Sequence, residues 1–332
     1  NNDYLNKNFN LNMLSPAPGK ETLFKAYLKK MVLGNLNGKT IFKDLGLTLM
    51  SPDYEVISHM TDVCQNFGFD YNMIDPSDIN SIGLNPFVYD DPSKIAITIS
   101  SALKEMYPRM NEGSLPTIED MLKMFANFDL VEKMCEILAY NEDLKAKYSV
   151  QLAYFKKNFY ANGSGRNDTE KHIMASVTQL DNLLRLPGVK TILCNRHNNL
   201  NFDDMLANGQ ITFICTRRGD LGASSHKAFG LFFLIAMQNA VLRRPGGENN
   251  RVPNFLYIDE FPDFICKSTE AIFTMYRKYK VATTISAQNL AQLETPNTKE
   301  NYKTTILSNC ANKIFTGNVT IEELQWWSSE VG

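Results

Sequence analysis

The predicted fold is decided by the stretch Asn254-Phe-Leu-Tyr-Ile-Asp259-Glu260, in which four apolar or aromatic residues lead directly into two carboxylates. An uninterrupted apolar run of this kind is typical of a strand that is buried on both faces of a parallel sheet. Ligands of such sheets bind just beyond the carboxyl ends of the strands. Asp259 and Glu260 are therefore predicted to lie at a ligand-binding edge. The alternative is a buried strand that simply emerges into solvent at an acidic turn.

Two later segments extend this pattern. Residues 280–289 are rich in β-branched side chains and end in the amide pair Gln288-Asn289, and a third strand is predicted over Ile306–Phe315. A helix is predicted between Glu260 and the first of these two strands. The order of acidic strand, helix, strand, helix and strand predicts an α/β fold, the RecA-like sheet of a P-loop NTPase.

The polar residues at the strand ends have expected roles in such a fold. In a P-loop NTPase, the first acid usually holds magnesium, the second polarises the attacking water, and a polar residue on the neighbouring strand senses the γ-phosphate. Asp259 is therefore the predicted magnesium ligand, Glu260 the catalytic base and Gln288 the sensor. ATP and Mg²⁺ are the predicted cofactors. The alternative for Gln288 is an amide that caps a loop.

The best candidate for the phosphate loop is Gly19-Lys20-Glu21-Thr22, which follows a strand predicted over Phe9–Leu14. A phosphate loop reads G-x-x-x-x-G-K-[ST], because glycine amides wrap the phosphates, the lysine reaches the β and γ groups, and the hydroxyl meets magnesium. Lys20 is therefore predicted to bind phosphate beside Gly19, and Thr22 or Glu21 to meet the magnesium ion.

This loop departs from the consensus. Leu14 stands where the first glycine is expected, Pro16 and Pro18 remove amide donors, and Glu21 occupies the hydroxyl position with Thr22 one place late. A glutamate beside the γ-phosphate repels it unless magnesium intervenes. Weak nucleotide binding is therefore expected from an isolated subunit. The alternative is a Pro/Gly turn before an ordinary helix, with no phosphate site.

Together these segments resemble the type IV secretion coupling ATPases of bacterial conjugation, the TraG/TraD-type relatives of FtsK and HerA. The resemblance covers most of the chain and rests on these stretches: Asp75-Pro76 with Gly83–Phe87, Tyr257–Phe264, Met275–Ala282, Ser286–Leu293, Leu307–Gly317 and Glu322–Trp327. It implies a hexameric ATPase motor at the cytoplasmic face of the bacterial cell membrane. The implied activity is the ATP-driven movement of DNA, or of a DNA-protein substrate, toward a secretion channel.

The resemblance also implies partners. These are further copies of the chain in a homo-hexamer, single- or double-stranded DNA, a relaxase or other secreted substrate, and the subunits of the secretion channel. The family's anchor, two N-terminal transmembrane helices, has no counterpart in this sequence, which contains no apolar run of about 18 residues. The chain is therefore expected to be the soluble motor part of a longer protein, joined to the inner membrane by a segment absent here. The alternative is a natural soluble homologue.

The domain organisation follows from a long helical block inside the strand order. Residues 95–187 are helical in pattern almost throughout. Because coupling ATPases carry an all-α domain inserted at this place, the resemblance implies that 95–187 is that domain and meets cargo. Residues 1–94 and 188–332 are then the two parts of the RecA-like nucleotide-binding domain. The alternative is a helical subdomain that only braces the sheet.

Three arginines are candidates for a finger that reaches into the nucleotide site of a neighbouring subunit. Arg277 precedes the strand that ends in Gln288, and Arg217 and Arg218 follow a strand predicted over Gln210–Cys215. A guanidinium suits this role because its rigid fork neutralises charge on the transferring phosphoryl oxygens. The alternative for each is an ordinary solvated surface arginine.

Composition narrows the remaining classes of function. The chain has 332 residues, 44% of them apolar, and a net charge of -2, so contact with DNA depends on a local lining and not on overall basicity. Six scattered cysteines without a C-x-x-C pair, and only four histidines, argue against structural zinc and a disulfide framework. Two rival functions stay open: a VirB-type channel ATPase of the same secretion system, and a nucleotide-dead scaffold that docks cargo or channel subunits.

Overall fold

The computed structural model describes residues 45–89, 115–294, 302–315 and 320–331, together with the strand segments 11–14, 35–36 and 39–40. The chain divides into two compact units. The first unit comprises Asn1–Asp75 and Asn201–Gly332, and the second comprises Pro76–Leu200.

The helices and strands follow one another along the chain with these bounds. The first segment contains β1 (Leu11–Leu14), β2 (Asn35–Leu36), β3 (Lys39–Thr40), β4 (Gly46–Ser51), α1 (Tyr54–Phe67) and β5 (Tyr71–Ile74). The second unit contains α2 (Ile118–Ala126), α3 (Phe128–Ala139), α4 (Glu142–Lys147), α5 (Ser149–Phe155), α6 (Ser164–Leu184) and α7 (Pro187–Leu193). The chain then forms α8 (Phe202–Ala207), β6 (Ile211–Cys215), α9 (Arg218–Arg243), β7 (Asn254–Ile258), α10 (Ala271–Thr274), β8 (Val281–Ala287), α11 (Tyr302–Asn309), β9 (Asn312–Phe315) and α12 (Ile321–Val331).

A seven-stranded sheet forms the centre of the first unit, in the order β5-β6-β4-β7-β8-β1-β9. All neighbouring strands in it are parallel, whereas β2 and β3 form a separate antiparallel pair. Met50 pairs with Ile258, and Ile258 pairs with Ile285, so the carboxyl ends of β4, β7 and β8 lie side by side. The prediction of an α/β fold with a parallel sheet is confirmed, and the acidic stretch forms the central strand β7.

The core lies against the middle strands of the sheet. α1 contributes Ile57, Met60 and Cys64, which are fully buried in one cluster with Leu49 of β4 and Phe213 of β6. The spacing of three and four residues places these α1 side chains on one helix face. Full burial of an apolar side chain of this size contributes about 1.5–3 kcal/mol to folding. This packing holds α1 against the sheet just after the carboxyl end of β4.

Caps fix both ends of α1. The side chain of Asp53 accepts a hydrogen bond from the backbone nitrogen of Glu55 over 2.9 Å at the first turn. Gly68 ends the helix in the left-handed conformation, with a φ of 69°, and its N–H group bonds the carbonyls of Cys64 and Gln65. Glycine is preferred at such a cap because it has no Cβ to clash. The link from β4 to α1 is therefore short and rigid.

The segment between Glu260 and Lys280 is not the helix that the sequence predicts. It folds as three 3₁₀ turns, Phe261–Phe264, Lys267–Glu270 and Tyr276–Tyr279, with only the one-turn helix α10 among them. Glu260 and Lys280 bound the segment with left-handed backbone conformations. Its large side chains are buried at irregular spacing: Phe261, Phe264, Ile272, Phe273 and Tyr276. Burial of these groups outweighs the local helical preference.

The strand predicted over Ile306–Phe315 is wrong in its first half. The helix α11 continues to Asn309, and β9 begins only at Asn312. Tyr302 and Ile306 are both buried, and their spacing of four residues is that of a helix face and not of a strand. Burial of this helical face thus outweighs the strand preference of the β-branched residues.

The second unit is helical over the residues that the structure describes, apart from one isolated parallel bridge between Gly83 and Asn199. Aromatic rings pack in its core, where the centroid of Phe159 lies 5.0 Å from that of Phe128 and 5.3 Å from that of Phe155. The predicted insertion, residues 95–187, falls within this unit. Its first boundary lies outside the described residues, so its limits stay a prediction.

The apolar segment Phe229–Val241 is a largely buried part of helix α9. Phe233 of this helix packs against Phe202 of α8, with ring centroids 5.4 Å apart. None of the helices in the described part of the chain combines the length and the hydropathy that crossing a bilayer requires.

Gly230 allows α9 to approach the turn that follows β7. A Cβ atom at residue 230 would lie 2.4 Å from Cε1 of Phe264, so Gly230→Ala forces a buried ring to move. We expect this variant to lower the free energy of unfolding by about 1–3 kcal/mol. Gly219→Ala is the matched control, because a Cβ at this exposed position, which precedes the kink in α9 at Gly222, meets nothing within 4 Å. Denaturant unfolding measures both, and equal stability of the two variants would contradict this packing.

Candidate active site

Polar side chains from three neighbouring strands meet at the carboxyl edge of the sheet. Strand β4 ends with Ser51, β7 is followed by Asp259 and Glu260, and β8 carries Ser286 and is followed by Gln288. Because β4, β7 and β8 are adjacent and parallel, these side chains share one small region. The structure thus brings together the predicted magnesium ligand, the predicted base and the predicted sensor, and adds two serines.

Asp259 is fixed through both its backbone and its side chain. Ser51 Oγ donates a hydrogen bond to Asp259 Oδ2 over 3.2 Å, and Ser286 Oγ donates to Oδ1 over 2.5 Å. The backbone nitrogen of Glu260 also donates to Oδ1, over 3.1 Å. The backbone nitrogen of Asp259 continues the sheet by donating to the carbonyl of Met50 over 2.9 Å. These contacts from the protein itself set the orientation of this carboxylate.

Glu260 lies in a left-handed turn with φ 49° and ψ 46°. This conformation costs a non-glycine residue about 1–3 kcal/mol and is typical of functional sites. The backbone nitrogen of Glu260 donates to Ser286 Oγ over 3.0 Å, which stabilises the turn. Gln288 Nε2 lies 3.4 Å from both carboxylate oxygens of Glu260. The predicted base and the predicted sensor are therefore direct neighbours.

Strand β1 ends at this same edge, between β8 and β9. Leu14, its last residue, pairs with Ala287, which directly precedes Gln288. The carboxyl end of β1 therefore lies beside the end of the strand that leads to the predicted sensor. The predicted nucleotide-binding residues themselves lie outside the described part of the chain: Gly19, Lys20, Glu21 and Thr22. Their roles stay predictions.

The donor atoms at this edge suit Mg²⁺. The carboxylates of Asp259 and Glu260 and the amide of Gln288 supply hard oxygen atoms, and Mg²⁺ usually binds one or two carboxylates together with waters and substrate phosphates. Within the described residues, no group of three or more His, Cys, Asp or Glu side chains is arranged to hold a metal ion by itself. The arrangement fits a magnesium ion that arrives with a nucleotide.

Arg217 is engaged inside its own subunit. Its Nε and Nη2 atoms donate to the two carboxylate oxygens of Asp75 over 2.8 and 2.7 Å, and its guanidinium stacks on the ring of Tyr54 at 3.8 Å. The side chains of Arg217 and Asp75 are only 18% and 3% exposed. The hydrogen bonds that Arg217 donates to Asp75 raise the pKa of Arg217. A finger role for Arg217 would require this pair to break, which is costly for buried ion pairs.

Arg218 belongs to a cluster of charges around Asp263, on the turn that follows Glu260. Arg218 Nη1 lies 3.1 Å from Asp263 Oδ2, and Lys227 Nζ lies 2.8 Å from Oδ1. His226 Nε2 lies 3.2 Å from Oδ2 but without the alignment of a hydrogen bond. This cluster links the first half of α9 to the turn Phe261–Phe264, which follows Asp259 and Glu260.

His226 makes the stability of this cluster dependent on pH. The side chain is fully buried, and burial lowers the pKa of His226, although Asp263 opposes this effect and Arg218 and Lys227 add to it. The folded state therefore favours the neutral ring. Its contribution to stability is complete above the unfolded pKa of about 6.5 and is lost as the pH falls below that value.

We therefore expect the free energy of unfolding to fall more steeply between about pH 7 and pH 5 in the parent chain than in His226→Gln. His197→Gln, at an exposed histidine, is the control and should keep the parent's pH dependence. Denaturant titrations at several pH values measure the slope. Identical slopes in the parent and His226→Gln would show that this ring is not the group that titrates.

Arg277 lies at the opposite, amino edge of the sheet. It is exposed on the 3₁₀ turn Tyr276–Tyr279, just before β8 begins at Val281. At about 3.3 Å per residue, the length of β8 separates its two ends by about 20 Å. A contact between Arg277 and a nucleotide at the acidic edge therefore requires a second subunit.

Two further arginines hold the turn that carries Arg277. Arg244 donates to the carbonyl of Tyr279 over 2.7 Å, and Arg251 donates to the carbonyl of Lys278 over 2.7 Å. Arg244 is only 7% exposed, and burial lowers its pKa to about 10. These bonds fix the backbone of the turn, while the side chain of Arg277 stays at the surface.

Ser51, Ser286 and Asp263 lie at the site but are not among the residues predicted from the sequence. A usable signal does exist for the two serines, because each is a polar residue at the end of an otherwise apolar or β-branched strand. Buried hydroxyl groups need hydrogen-bond partners, so a serine beside the acidic strand indicates a contact with an acid. Asp263 carries no comparable signal, because it lies in a turn where acidic residues are common.

Comparison with known families and structures supports the predicted resemblance. Residues 253–332 match the family described as the TraM recognition site of TraD and TraG. The fold is similar to that of the bacterial conjugative coupling protein TrwB in an unbound form, with a TM-score of 0.57 and 17% identity over 90% of this chain and 66% of that chain. TrwB in complex with ADP and Mg²⁺ also has a TM-score of 0.57 and 17% identity, over 91% of this chain and 69% of that chain. The chain therefore spans only part of the length of this coupling protein.

VirB4 of Thermoanaerobacter pseudethanolicus is also similar in fold, with a TM-score of 0.51 and 14% identity over 97% of this chain and 81% of that chain. No curated protein is significantly similar in sequence to this chain. The predicted RecA-like α/β fold is confirmed by these likenesses, and the resemblance to the type IV coupling ATPases is confirmed by the likenesses together with the family match.

Proposed function

We propose that this chain is the motor part of a coupling ATPase, which hydrolyses ATP with magnesium and moves DNA or a DNA-protein substrate toward a type IV secretion channel. One observation carries the proposal: Asp259, Glu260, Gln288 and the end of β1 share one edge of a parallel sheet. P-loop NTPases bind and hydrolyse their nucleotides at this edge. The family match of residues 253–332 supports the coupling class.

Nucleotide binding is assigned to the loop after β1 and to the first acid. In this proposal Lys20 binds the β- and γ-phosphates, and Asp259 binds the magnesium ion together with Thr22 or Glu21. Bound Mg²⁺ would neutralise the charge that develops on the phosphoryl oxygens. The two serine contacts of Asp259 keep its carboxylate at the edge of the sheet.

Hydrolysis is assigned to Glu260 and Gln288. Glu260 accepts a proton from the attacking water, and Gln288 orients that water and contacts the γ-phosphate. The amide nitrogen of Gln288 lies 3.4 Å from both carboxylate oxygens of Glu260. A γ-phosphate would compete for this amide, which couples the position of the base to the state of the nucleotide.

The active site is proposed to be shared between the subunits of a homo-hexamer. Arg277 is exposed at the amino edge, whereas the side chain of Arg217 is only 18% exposed. This difference favours Arg277 as the arginine that reaches a neighbouring subunit's nucleotide. Its guanidinium would stabilise the charge of the transferring phosphoryl group.

The proposed partners are DNA, a relaxase or other secreted substrate, and the channel subunits, at the cytoplasmic face of the bacterial inner membrane. Residues 253–332 match a family that is described as the TraM recognition site of TraD and TraG. A protein of the TraM kind is therefore a further proposed partner of this segment. Because the net charge is -2, a DNA contact would depend on a local basic lining.

Two other functions have an observation in their favour. Leu14 and Glu21 replace the first glycine and the hydroxyl of the phosphate loop, which favours a docking scaffold that does not turn over ATP. The fold likeness to VirB4 favours a channel ATPase. A channel ATPase would use the same acids, but its turnover would respond to channel subunits and not to DNA.

Binding of a non-hydrolysable ATP analogue with magnesium tests the motor against the scaffold. Lys20→Ala should weaken binding by roughly tenfold or more, because it removes a charge-assisted contact worth about 1.5–3 kcal/mol. Glu21→Ser should strengthen binding, because it removes a carboxylate near the γ-phosphate and restores the hydroxyl of the motif. Lys278→Ala, at an exposed lysine outside the site, is the control. Calorimetric affinities unchanged in both loop variants would contradict a phosphate site here.

A further inference from the structure

Two buried serines contact the predicted magnesium ligand, and the function proposed above gives neither of them a direct contact with the nucleotide or the metal ion. We infer that Ser51 and Ser286 are positioning residues, which orient the carboxylate of Asp259 toward a magnesium-nucleotide complex and hold Glu260 in its left-handed turn. This inference rests on the proposed function, because it takes Asp259 as the residue that binds the metal ion. It gives a part in metal binding to residues of the two strands, β4 and β8, that flank the acidic strand β7.

The two hydroxyl groups approach Asp259 from opposite sides. Ser51 is the last residue of β4 and Ser286 the next-to-last residue of β8, and these strands flank β7 in the sheet. Each hydroxyl donates to a different carboxylate oxygen, Ser51 to Oδ2 over 3.2 Å and Ser286 to Oδ1 over 2.5 Å. Donors on both oxygens prevent the carboxylate plane from rotating about the bond to its Cβ atom. Residues that orient a metal ligand in this way are energetically important for binding.

Each serine also accepts a hydrogen bond, which determines the direction of its own proton. Ser51 Oγ accepts from the backbone nitrogen of Asp53 over 3.1 Å, and Ser286 Oγ accepts from that of Glu260 over 3.0 Å. Because these N–H groups occupy acceptor positions of the hydroxyls, each O–H bond is directed at Asp259. Ser51 thus links the acid to the start of α1, and Ser286 links the acid to the predicted base.

The burial of the two serines supports a specific role. Ser51 is 0% exposed and Ser286 is 1% exposed. A buried hydroxyl contributes little apolar packing and requires partners for its polar atom. If packing were the only requirement, alanine would suit either position, because it buries no polar atom that needs a hydrogen-bond partner. The inferred role explains why each of the two strands places a hydroxyl beside the acid.

Binding of ADP with and without magnesium tests the inference. Ser51→Ala and Ser286→Ala should each weaken the magnesium-dependent part of ADP binding roughly 10- to 100-fold, as loss of a group that orients a metal ligand typically does. ADP affinity in the presence of a chelator should be unchanged, because neither hydroxyl is proposed to contact the nucleotide. Ser286→Ala should in addition lower ATP turnover more than Ser51→Ala, because only Ser286 contacts the backbone of Glu260.

Ser81→Ala is the matched control, because it removes a buried serine of the second unit, whose hydroxyl donates to the carbonyl of Ile82 over 3.2 Å. It should leave ADP binding unchanged under both conditions. Thermal unfolding of each variant checks that it is folded. Equal loss of ADP affinity with and without magnesium would indicate general damage and overturn the inference, as would unchanged magnesium dependence. Absence of a magnesium effect in the unmodified chain would instead overturn the proposed function, and the role of the serines with it.

Discussion

Replacement of Glu260 by glutamine is expected to lower ATP turnover roughly a hundredfold or more, as the loss of a positioned general base usually does. Glutamine has nearly the size of glutamate but cannot take a proton from the attacking water. The contact with Gln288 Nε2, 3.4 Å from both carboxylate oxygens, keeps one acceptor oxygen in the variant. ATP affinity should therefore stay close to that of the parent chain.

The matched control for this variant is Glu248→Gln, which makes the same substitution in an exposed loop away from the sheet edge. Steady-state hydrolysis gives the turnover, and calorimetry with a non-hydrolysable analogue gives the affinity. Turnover at the parent rate by Glu260→Gln would show that Glu260 is not the base. A loss of affinity as large as the loss of turnover would show that the substitution disrupts the site as a whole.

Replacement of Arg277 by alanine is expected to lower turnover by roughly a thousandfold, the lower end of the range for arginine fingers. ATP affinity of a single subunit should be unaffected, because Arg277 lies at the amino edge, about 20 Å from the acids of its own chain by the length of β8. Lys278→Ala removes a neighbouring exposed cation from the same turn and should leave turnover near the parent value.

Mixing two inactive variants tests whether the site is shared. Glu260→Gln subunits keep Arg277, and Arg277→Ala subunits keep Glu260, so a mixed ring contains interfaces at which both groups are intact. Turnover of the mixture should exceed the sum of the two separate variants and should rise with protein concentration. A mixture no more active than that sum would contradict an arginine supplied in trans.

The acidic edge is predictable from sequence because its signals are local. The apolar run before Asp259 specifies a strand buried on both faces, and a parallel sheet places the ends of its strands at one edge. The same rule predicts that Gln288 lies near Glu260, and the structure has the two side chains in contact. The strand positions thus follow from hydrophobic patterning, without any knowledge of which side chains touch.

Contacts between distant parts of the chain are not predictable in the same way. Ser51 and Asp259 are separated by 208 residues, and their contact exists because β4 lies next to β7 in the sheet. Arg217 likewise donates a hydrogen bond to Asp75, which is 142 residues away in the sequence. The residues next to Arg217 in the sequence do not predict this contact, and for that reason Arg217 is, on sequence alone, a candidate for an arginine finger. Strand order depends on how crossovers pack over the whole domain, and no local pattern in these segments encodes it.

The turns after Glu260 show a second limit to the prediction of structure from sequence. Helical preference over residues 261–279 is real, but burial of aromatic side chains such as Phe264 and Tyr276 decides the backbone path. Tertiary packing overrides local propensity in segments of this kind. The consequence concerns the site directly, because one of these turns carries Asp263 and another carries Arg277.

The most direct test of the account is ATP hydrolysis by the purified chain with magnesium, alone and with single- or double-stranded DNA of increasing length. We expect magnesium-dependent turnover that DNA stimulates, more strongly as the DNA becomes longer, with Glu260→Gln giving the background rate. Turnover that never exceeds the Glu260→Gln background, with or without DNA, would contradict the claim that this edge of the sheet is the active site of a DNA-translocating ATPase.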